Sequence, residues 1–209
     1  VESGTIIFLN GTSSSGKTEI TKSLQEILDG YYFHTGIDHY LRAAPDKFHI
    51  HSDGINPSST EGFLWVFPEK DGPVSEIRIG PMGFRLLKGM YQSIAALAAS
   101  GIDLIVDDVI FDANALKAAV DALHTFNVLF VGIRCPIEVA NLREQERGDR
   151  LPGLVQAHYD RVHSHGVYDL EVDTSNLTPM ECAQQIKVRL LNGPAPKAVR
   201  QLRNSLSNI

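Results

Sequence analysis

The sequence predicts an α/β fold of three layers, a five-stranded parallel sheet covered by helices on both faces, and three observations carry that prediction. The chain has 209 residues, 43% of them hydrophobic and 21% charged, which suits a globular protein built on one core. Short β-rich runs alternate along it with stretches of helical periodicity. Two of those runs, DLIVD at 103–107 with its apolar centre and VLFVGI at 128–133, are apolar in character instead of alternating. Strands buried on both faces and joined by right-handed crossovers have that character.

Taken in order, the first strand is TIIFLN at 5–10, and the helix behind it repeats Ile20, Leu24, Ile27 and Leu28 at helical spacing. The second strand is 31–35. Residues 47–80 break the rhythm, because Gly54, Pro57, Gly62, Pro68, Gly72 and Pro73 interrupt short β-prone runs, FLWVF at 63–67 and EIRI at 76–79. That segment reads as an inserted meander or hairpin. Leu86, Leu87, Met90, Ile94 and Leu97 mark a further helix, and the remaining strands are 103–107, 128–133 and 168–172. Thr178 followed by Pro179 reads as an N-cap with a first-turn proline. Residues 1–192 thus form one domain. Residues 193–209, opening with Gly193, Pro194 and Pro196, read as a peripheral appendage in which 199–206 can form a short helix.

Nineteen Lys and Arg against twenty-five Asp and Glu give a formal charge of −6, so the broad positive field of a nucleic-acid binder is missing. No apolar stretch approaches the ~20 residues that span a membrane, and the first residues lack a basic start and an apolar signal segment, so a cytoplasmic location is expected. Cys135 and Cys182 are too far apart for a paired zinc spacing and read as small buried apolar residues. His49 with His51, or His163 with His165, would share a face in an extended chain, but no second cluster at finger-like spacing supports zinc.

The strongest motif is Gly11-Thr12-Ser13-Ser14-Ser15-Gly16-Lys17-Thr18, a full G-x-x-x-x-G-K-[ST] between a predicted strand and an amphipathic helix. Glycine permits the tight curvature, successive N–H groups surround phosphate oxygens, and the helix adds the positive end of its dipole. Lys17 would neutralise the β and γ phosphates of ATP, and the Thr18 hydroxyl would ligand Mg²⁺. A strand ending in Asp107 and Asp108 supplies carboxylates for the same ion, and the sequence leaves open which of the two faces it. Arg143 and Arg147 share one face of a helix that Gly148 would end, with Arg150 beyond. These arginines either close over ATP as a basic lid or pair with Glu144 and Glu146 on a solvated face.

Asp38, just past the second strand, stands where open α/β sheets build their sites. It is either a base for an acceptor hydroxyl or a helix N-cap. Near it, Phe63, Trp65, Phe67 and Phe84 would wall an acceptor site, with Arg85 giving direction, unless the aromatics fill a private core under the insertion.

These segments, IIFLNGTSSSGKT, HTGIDHYL, IGPMGFRLLKGMY, IDLIVDDVIFD, VLFVGIRCP, REQERGDR and VYDLEVDTS, together resemble the chloramphenicol phosphotransferases, which have a P-loop kinase fold. The resemblance covers most of the chain in the family's order. It implies Lys17 and Thr18 in phosphate and Mg²⁺ binding, Asp38 as the acceptor-side base, and Arg147 and Arg150 in a basic lid. That family phosphorylates the primary hydroxyl of chloramphenicol. The segment 47–80 looks longer than the family's, which leaves the acceptor open. The expected activity is Mg·ATP-dependent transfer of phosphate to a hydroxyl of a small molecule. The alternatives are a kinase of another metabolite, such as a nucleoside or sugar alcohol, and a nucleotide-dependent switch protein. No N-K-x-D run supports a GTPase.

Overall fold

The strand β1 (Ile6–Gly11) is buried along its whole length, and the fold is arranged around it in the computed structural model, which describes residues 2–53, 61–69, 72–148 and 151–207. The chain continues through α1 (Lys17–Ile27), β2 (Tyr32–Gly36), α2 (Ile37–Ala43), β3 (His49–Asp53), β4 (Phe63–Phe67), β5 (Glu76–Ile79) and α3 (Pro81–Ala99). It then runs through β6 (Asp103–Asp108), α4 (Ala113–Leu123), β7 (Val128–Arg134), α5 (Ile137–Arg147), α6 (Leu154–Val162), β8 (Leu170–Asp173), α7 (Pro179–Asn192) and α8 (Ala198–Leu206).

Five strands form one sheet in the order β2-β6-β1-β7-β8, and every neighbouring pair is parallel. They are the five strands the sequence predicts. Along β1, Ile6 and Phe8 turn to one face, where they meet Leu87, Met90 and Ile94 of α3 and Leu116 and Val120 of α4. Ile7 and Leu9 turn to the other, against Ile20 and Leu24 of α1 and Cys182 and Ile186 of α7. A strand buried on both sides has no polar positions to alternate with, which is why these runs are uniformly apolar. Each such side chain contributes roughly 1.5–3 kcal/mol on leaving water. Both cysteines are free and buried. Thr178 makes the expected cap, its hydroxyl accepting from Glu181 N while Glu181 Oε2 accepts from Thr178 N. Among the described residues, no helix is long and apolar enough to cross a membrane.

The insertion forms a second, three-stranded sheet in the order β3-β4-β5. β4 and β5 pair antiparallel as a hairpin, but β3 runs parallel to β4, so the segment is not a simple meander. Phe63, Val74 and Ile77 are buried in the same cluster as Phe8, so the aromatics do not fill a private core.

The tail departs from its expected peripheral role. Val199 and Leu202 of α8 are buried in the cluster of Phe8 and Phe130, and Arg203 Nη1 lies 3.1 Å from Asp121 of α4. Asp169, just before β8, anchors the start of α8 by accepting from Lys197 N at 2.7 Å and Ala198 N at 3.1 Å.

His163 and His165 are not on an extended face. They flank the turn after α6, where His163 Nδ1 lies 2.7 Å from the Tyr168 hydroxyl and His165 stacks on Phe130 at 5.4 Å. Tyr168 also accepts from Asn10 Nδ2 at 2.8 Å, which ties this turn to the end of β1.

Candidate active site

Parallel strands deliver their carboxyl ends to one edge, and the register pairs Leu9 and Gly36 with Asp107 across that edge. The approach at Gly36 is close, since a Cβ there would stand 2.0 Å from Asp107 O. Glycine therefore lets β2 hand the chain into α2 beside the phosphate loop.

The loop Gly11–Thr18 has the curvature its motif implies. Ser14 has φ 58 and Gly16 φ 93, both left-handed, and α1 begins at Lys17. Ser14 Oγ and Ser15 Oγ are buried with no hydrogen-bond partner, so the loop holds polar atoms that only a ligand or water would satisfy. A phosphate group fits that cradle, with backbone N–H groups and the helix dipole behind it. Lys17 Nζ donates to Gly11 O at 3.0 Å and Thr12 O at 2.8 Å, and it lies 3.7 Å from Asp107 Oδ1. The loop lines a cavity of about 590 Å³ with Asp38, Asp107, Arg143 and Arg147.

The structure separates the two carboxylates of β6. Asp107 accepts from the Thr18 hydroxyl at 2.9 Å and faces the loop. Asp108 turns to the opposite face, as adjacent strand residues must, and accepts from the Tyr91 hydroxyl and from Val109 N, both at 2.7 Å. It does not reach Thr18, so the Mg²⁺ candidates reduce to Thr18 and Asp107. Those two hard oxygen donors fit Mg²⁺, which takes few protein ligands and completes its shell with phosphate and water.

Asp108 instead lines a second, smaller cavity of about 120 Å³, walled by Phe63, Trp65, Leu87 and Phe111. Burial raises its carboxyl to about 6, although the bonds from Tyr91 and Val109 pull the other way. The two cavities share Ser13, Ile37, Asp38 and Val109 in their walls. Gly36, not Asp38, occupies the cap position of α2, and Asp38 stands in its first turn at the junction of the cavities. Phe84 and Arg85 do not line the smaller cavity. Phe84 packs against the core, and Arg85 lines a separate groove with Tyr40, Phe48 and Met82. On α3 it is Leu87 and Tyr91, one turn apart, that face the cavity, and a residue two positions from Leu87 points away from it.

Arg143 and Arg147 have different surroundings. Arg143 donates to Thr174 Oγ1 at 3.0 Å and Thr174 O at 2.7 Å, and Thr174 in turn donates to Ser15 O at 2.9 Å. It braces the back of the phosphate loop while lining the larger cavity. Arg147 lines that cavity from the end of α5, where Gly148 at φ 62 closes the helix. Arg150 lies outside the described residues. Glu144 caps α6, accepting from Gly153 N at 2.8 Å and Val155 N at 2.9 Å. The insertion leans on the same place, Val74 N donating to Pro152 O at 2.7 Å.

Three side chains near these cavities give no local signal in the sequence. His34 Nε2 lies 3.9 Å from Asp107 Oδ2, and burial lowers its pKa. Tyr91 holds Asp108 from inside α3. His158 of α6 is buried, lines the smaller cavity, and places Nδ1 3.1 Å from the Thr12 hydroxyl.

A family model of chloramphenicol phosphotransferase-like proteins matches residues 4–191. Curated sequences from two strains of Mycobacterium tuberculosis, CDC 1551 and H37Rv, each provisionally named an O-phosphotransferase, are 32% identical over 205 residues, 96% of this chain and 88% of theirs. Solved structures of similar fold include a sugar kinase from Janibacter sp. HTCC2649, with TM-score 0.60 and 15% identity over 90% of this chain and 95% of that one. The tunicamycin resistance protein of Deinococcus radiodurans gives 0.58 and 20%, covering 90% and 96%. The Mycobacterium tuberculosis APS kinase in complex with AMPPNP and APS gives 0.58 and 16%, covering 91% and 99%. At such identities these structures speak for the P-loop kinase fold alone.

Proposed function

This chain belongs to the chloramphenicol phosphotransferase-like family, and from that premise we propose that it transfers the γ-phosphate of ATP to a hydroxyl of a small molecule held in the smaller cavity. The observation that carries the reading is the shared wall: Asp38 lies where a phosphate-binding cavity and an apolar cavity meet.

The nucleotide lies in the larger cavity, its phosphates on the Gly11–Thr18 loop, and the acceptor lies against Trp65 and Phe111 with its hydroxyl at Asp38. The hydroxyl oxygen attacks the γ-phosphorus in line, the new O–P bond forms as the bond to the β-phosphate oxygen breaks, and ADP leaves. The hydroxyl proton passes to the Asp38 carboxylate, late, because the transition state is loose. Lys17 neutralises the β and γ phosphates, and Arg147, with Arg150 in the same basic lid, spreads the charge of the transferring group. Thr18 and Asp107 would hold Mg²⁺, which supplies further charge neutralisation on the phosphate oxygens. Arg143 acts through the loop it braces rather than on the phosphate.

The reading is tested by ADP release in a coupled assay over a panel of alcohols, with chloramphenicol first on grounds of family. Acceptor-dependent release above the water background, with a phosphomonoester product by phosphorus NMR, supports it. Tight ATP binding with no acceptor response across the panel would favour a nucleotide-dependent switch.

A further inference from the structure

The transfer chemistry gives His158 no task, yet its placement is specific. The residue is 4% exposed and stands among the side chains that line the smaller cavity. Its ring stacks on Phe111, with centroids 5.8 Å apart and planes 29° from parallel, and its Nδ1 lies 3.1 Å from the Thr12 hydroxyl of the phosphate loop. Those two contacts fix the position and the rotation of the ring. Nε2, on the far side of the imidazole, has no hydrogen bond to a described residue and is not among the fully buried unpaired atoms, so it is open to the cavity that the residue lines. A polar nitrogen open to a small, largely apolar cavity has few partners there, so a ligand that supplies the bond gains from it.

We propose that His158 determines acceptor specificity, its Nε2 reading a second, uncharged polar group on the alcohol whose hydroxyl is addressed by Asp38. The inference rests on the smaller cavity being the acceptor site. Burial, reinforced by the positive charges of Lys17 and Arg161, holds the imidazole neutral with a pKa down to about 3, so Nε2 offers one hydrogen bond and no charge. Whether Nε2 donates or accepts follows from the tautomer that Thr12 selects, and a primary amide answers either. The rest of the cavity sets the class. Its charged side chains are the carboxylates Asp38 and Asp108, and no Lys or Arg stands among its described lining residues. An anionic acceptor would meet like charge at close range with little water to screen it. A cavity of about 120 Å³ between aromatic walls suits one ring carrying a hydroxyl at one end and an amide-like or hydroxyl group at the other.

Trp65 is the single tryptophan of the sequence and lines this cavity, so its fluorescence reports occupancy without turnover. The probes are para-hydroxymethylbenzamide and its anionic counterpart para-hydroxymethylbenzoate. In the unaltered protein the amide should change the Trp65 emission, and the benzoate should bind at least about tenfold more weakly. His158→Gln sets an amide nitrogen where Nε2 stands and should hold benzamide affinity within about threefold, whereas His158→Asn sets it where Nδ1 stands and should lose about tenfold or more. ADP affinity, measured by calorimetry, should change little in either. The reverse order, with Asn behaving as the native residue and Gln weakening ADP binding, would mean that the histidine only braces the phosphate loop and would overturn the proposal. Equal binding of amide and benzoate, or no response to the amide, would also overturn it. A coupled ADP-release assay with the same amide separates this inference from the activity on which it rests. Amide binding that depends on His158, with no acceptor response across the alcohol panel, would sink the kinase reading and leave the His158 assignment standing, and turnover unimpaired in His158→Asn would do the opposite.

Discussion

The larger cavity takes its phosphate-facing groups from one continuous loop, Gly11 to Thr18, whereas the smaller draws Asp38, Trp65, Tyr91, Asp108 and His158 from five separate elements. Charge is sorted between them as well. Lys17, Arg143 and Arg147 line the larger beside carboxylates such as Asp107, whereas carboxylates with a neutral imidazole, and no described Lys or Arg, line the smaller. A phosphate cradle is made of backbone curvature and a helix terminus, both local, so a short run of residues specifies it. A pocket for an organic molecule needs converging walls, and convergence is a property of the tertiary fold.

The contrast can be broken most sharply at Lys17. Lys17→Ala should cut turnover roughly 10⁴-fold, on the scale of charge-stabilising groups in phosphoryl transfer, with the circular dichroism of the native protein retained. Native turnover in the folded variant would remove the loop from the chemistry. Asp38→Asn keeps shape but not basicity and should cost roughly 10²- to 10⁴-fold in turnover with ATP binding intact. Retention of most of the native rate would make Asp38 a wall and not a base.

The carboxylates of β6 offer a paired test. Asp107→Asn should raise the Mg²⁺ concentration needed for half-maximal rate by about tenfold, and Asp108→Asn should leave that requirement alone and raise the acceptor's Michaelis constant. The same response from both variants would undo the division between the two faces. Trp65→Ala should raise the acceptor's Michaelis constant by roughly tenfold with ADP affinity unchanged, as read by calorimetry. Unaltered acceptor kinetics would leave the insertion as scaffold.

The smallest effect is on stability. Burial lowers His158 to about 3 and His163 and His165 to about 4, against 6.5 in the unfolded chain. As pH falls below about 6.5, the unfolded chain takes up protons that the folded chain refuses, so stability is lost between about pH 7 and 4. Asp108, raised to about 6, opposes this over the lower part of that window because the folded chain there holds a proton the unfolded one releases. Three imidazoles outweigh one carboxyl. The urea midpoint should therefore fall with acidification, and His165→Phe, which keeps the stack on Phe130, should flatten the slope. A midpoint that stays level from pH 7 to 4.5 would mean that these rings titrate freely.

Much of the fold was legible because it rests on local pattern. The uniformly apolar runs around Ile105 and Val131 announced strands covered on both sides, and Thr178-Pro179 announced a helix start. The phosphate loop was legible for the same reason. The acceptor side was read only in part. Asp38 and Trp65 line the smaller cavity, but Arg85 was assigned without knowledge of how α3 is rotated, and that rotation sends it to another groove. Which way Asp108 faces is settled by its meeting with Tyr91 of α3, and a lone histidine on α6 meets Thr12 across 146 residues of chain, so both depend on the tertiary fold.

The family match ends at residue 191, and the buried core does not. Asp169, its side chain 1% exposed, spends one oxygen on the start of α8 and the other on Phe130 N at 3.1 Å, inside the central sheet. Ending the polypeptide at Asn192 would remove the two backbone donors from one oxygen of that carboxylate, leaving it Arg189 Nη2 at 3.8 Å, and bare the apolar surface that Val199 and Leu202 now cover. The family model and mechanical integrity thus have different boundaries in this molecule, and the curated relatives, matched over 96% of the chain, run past the first of them. A fragment trimmed to the residues the family model matches would keep every residue of the phosphate loop and still lack part of the keel that holds β7 and β8 in place.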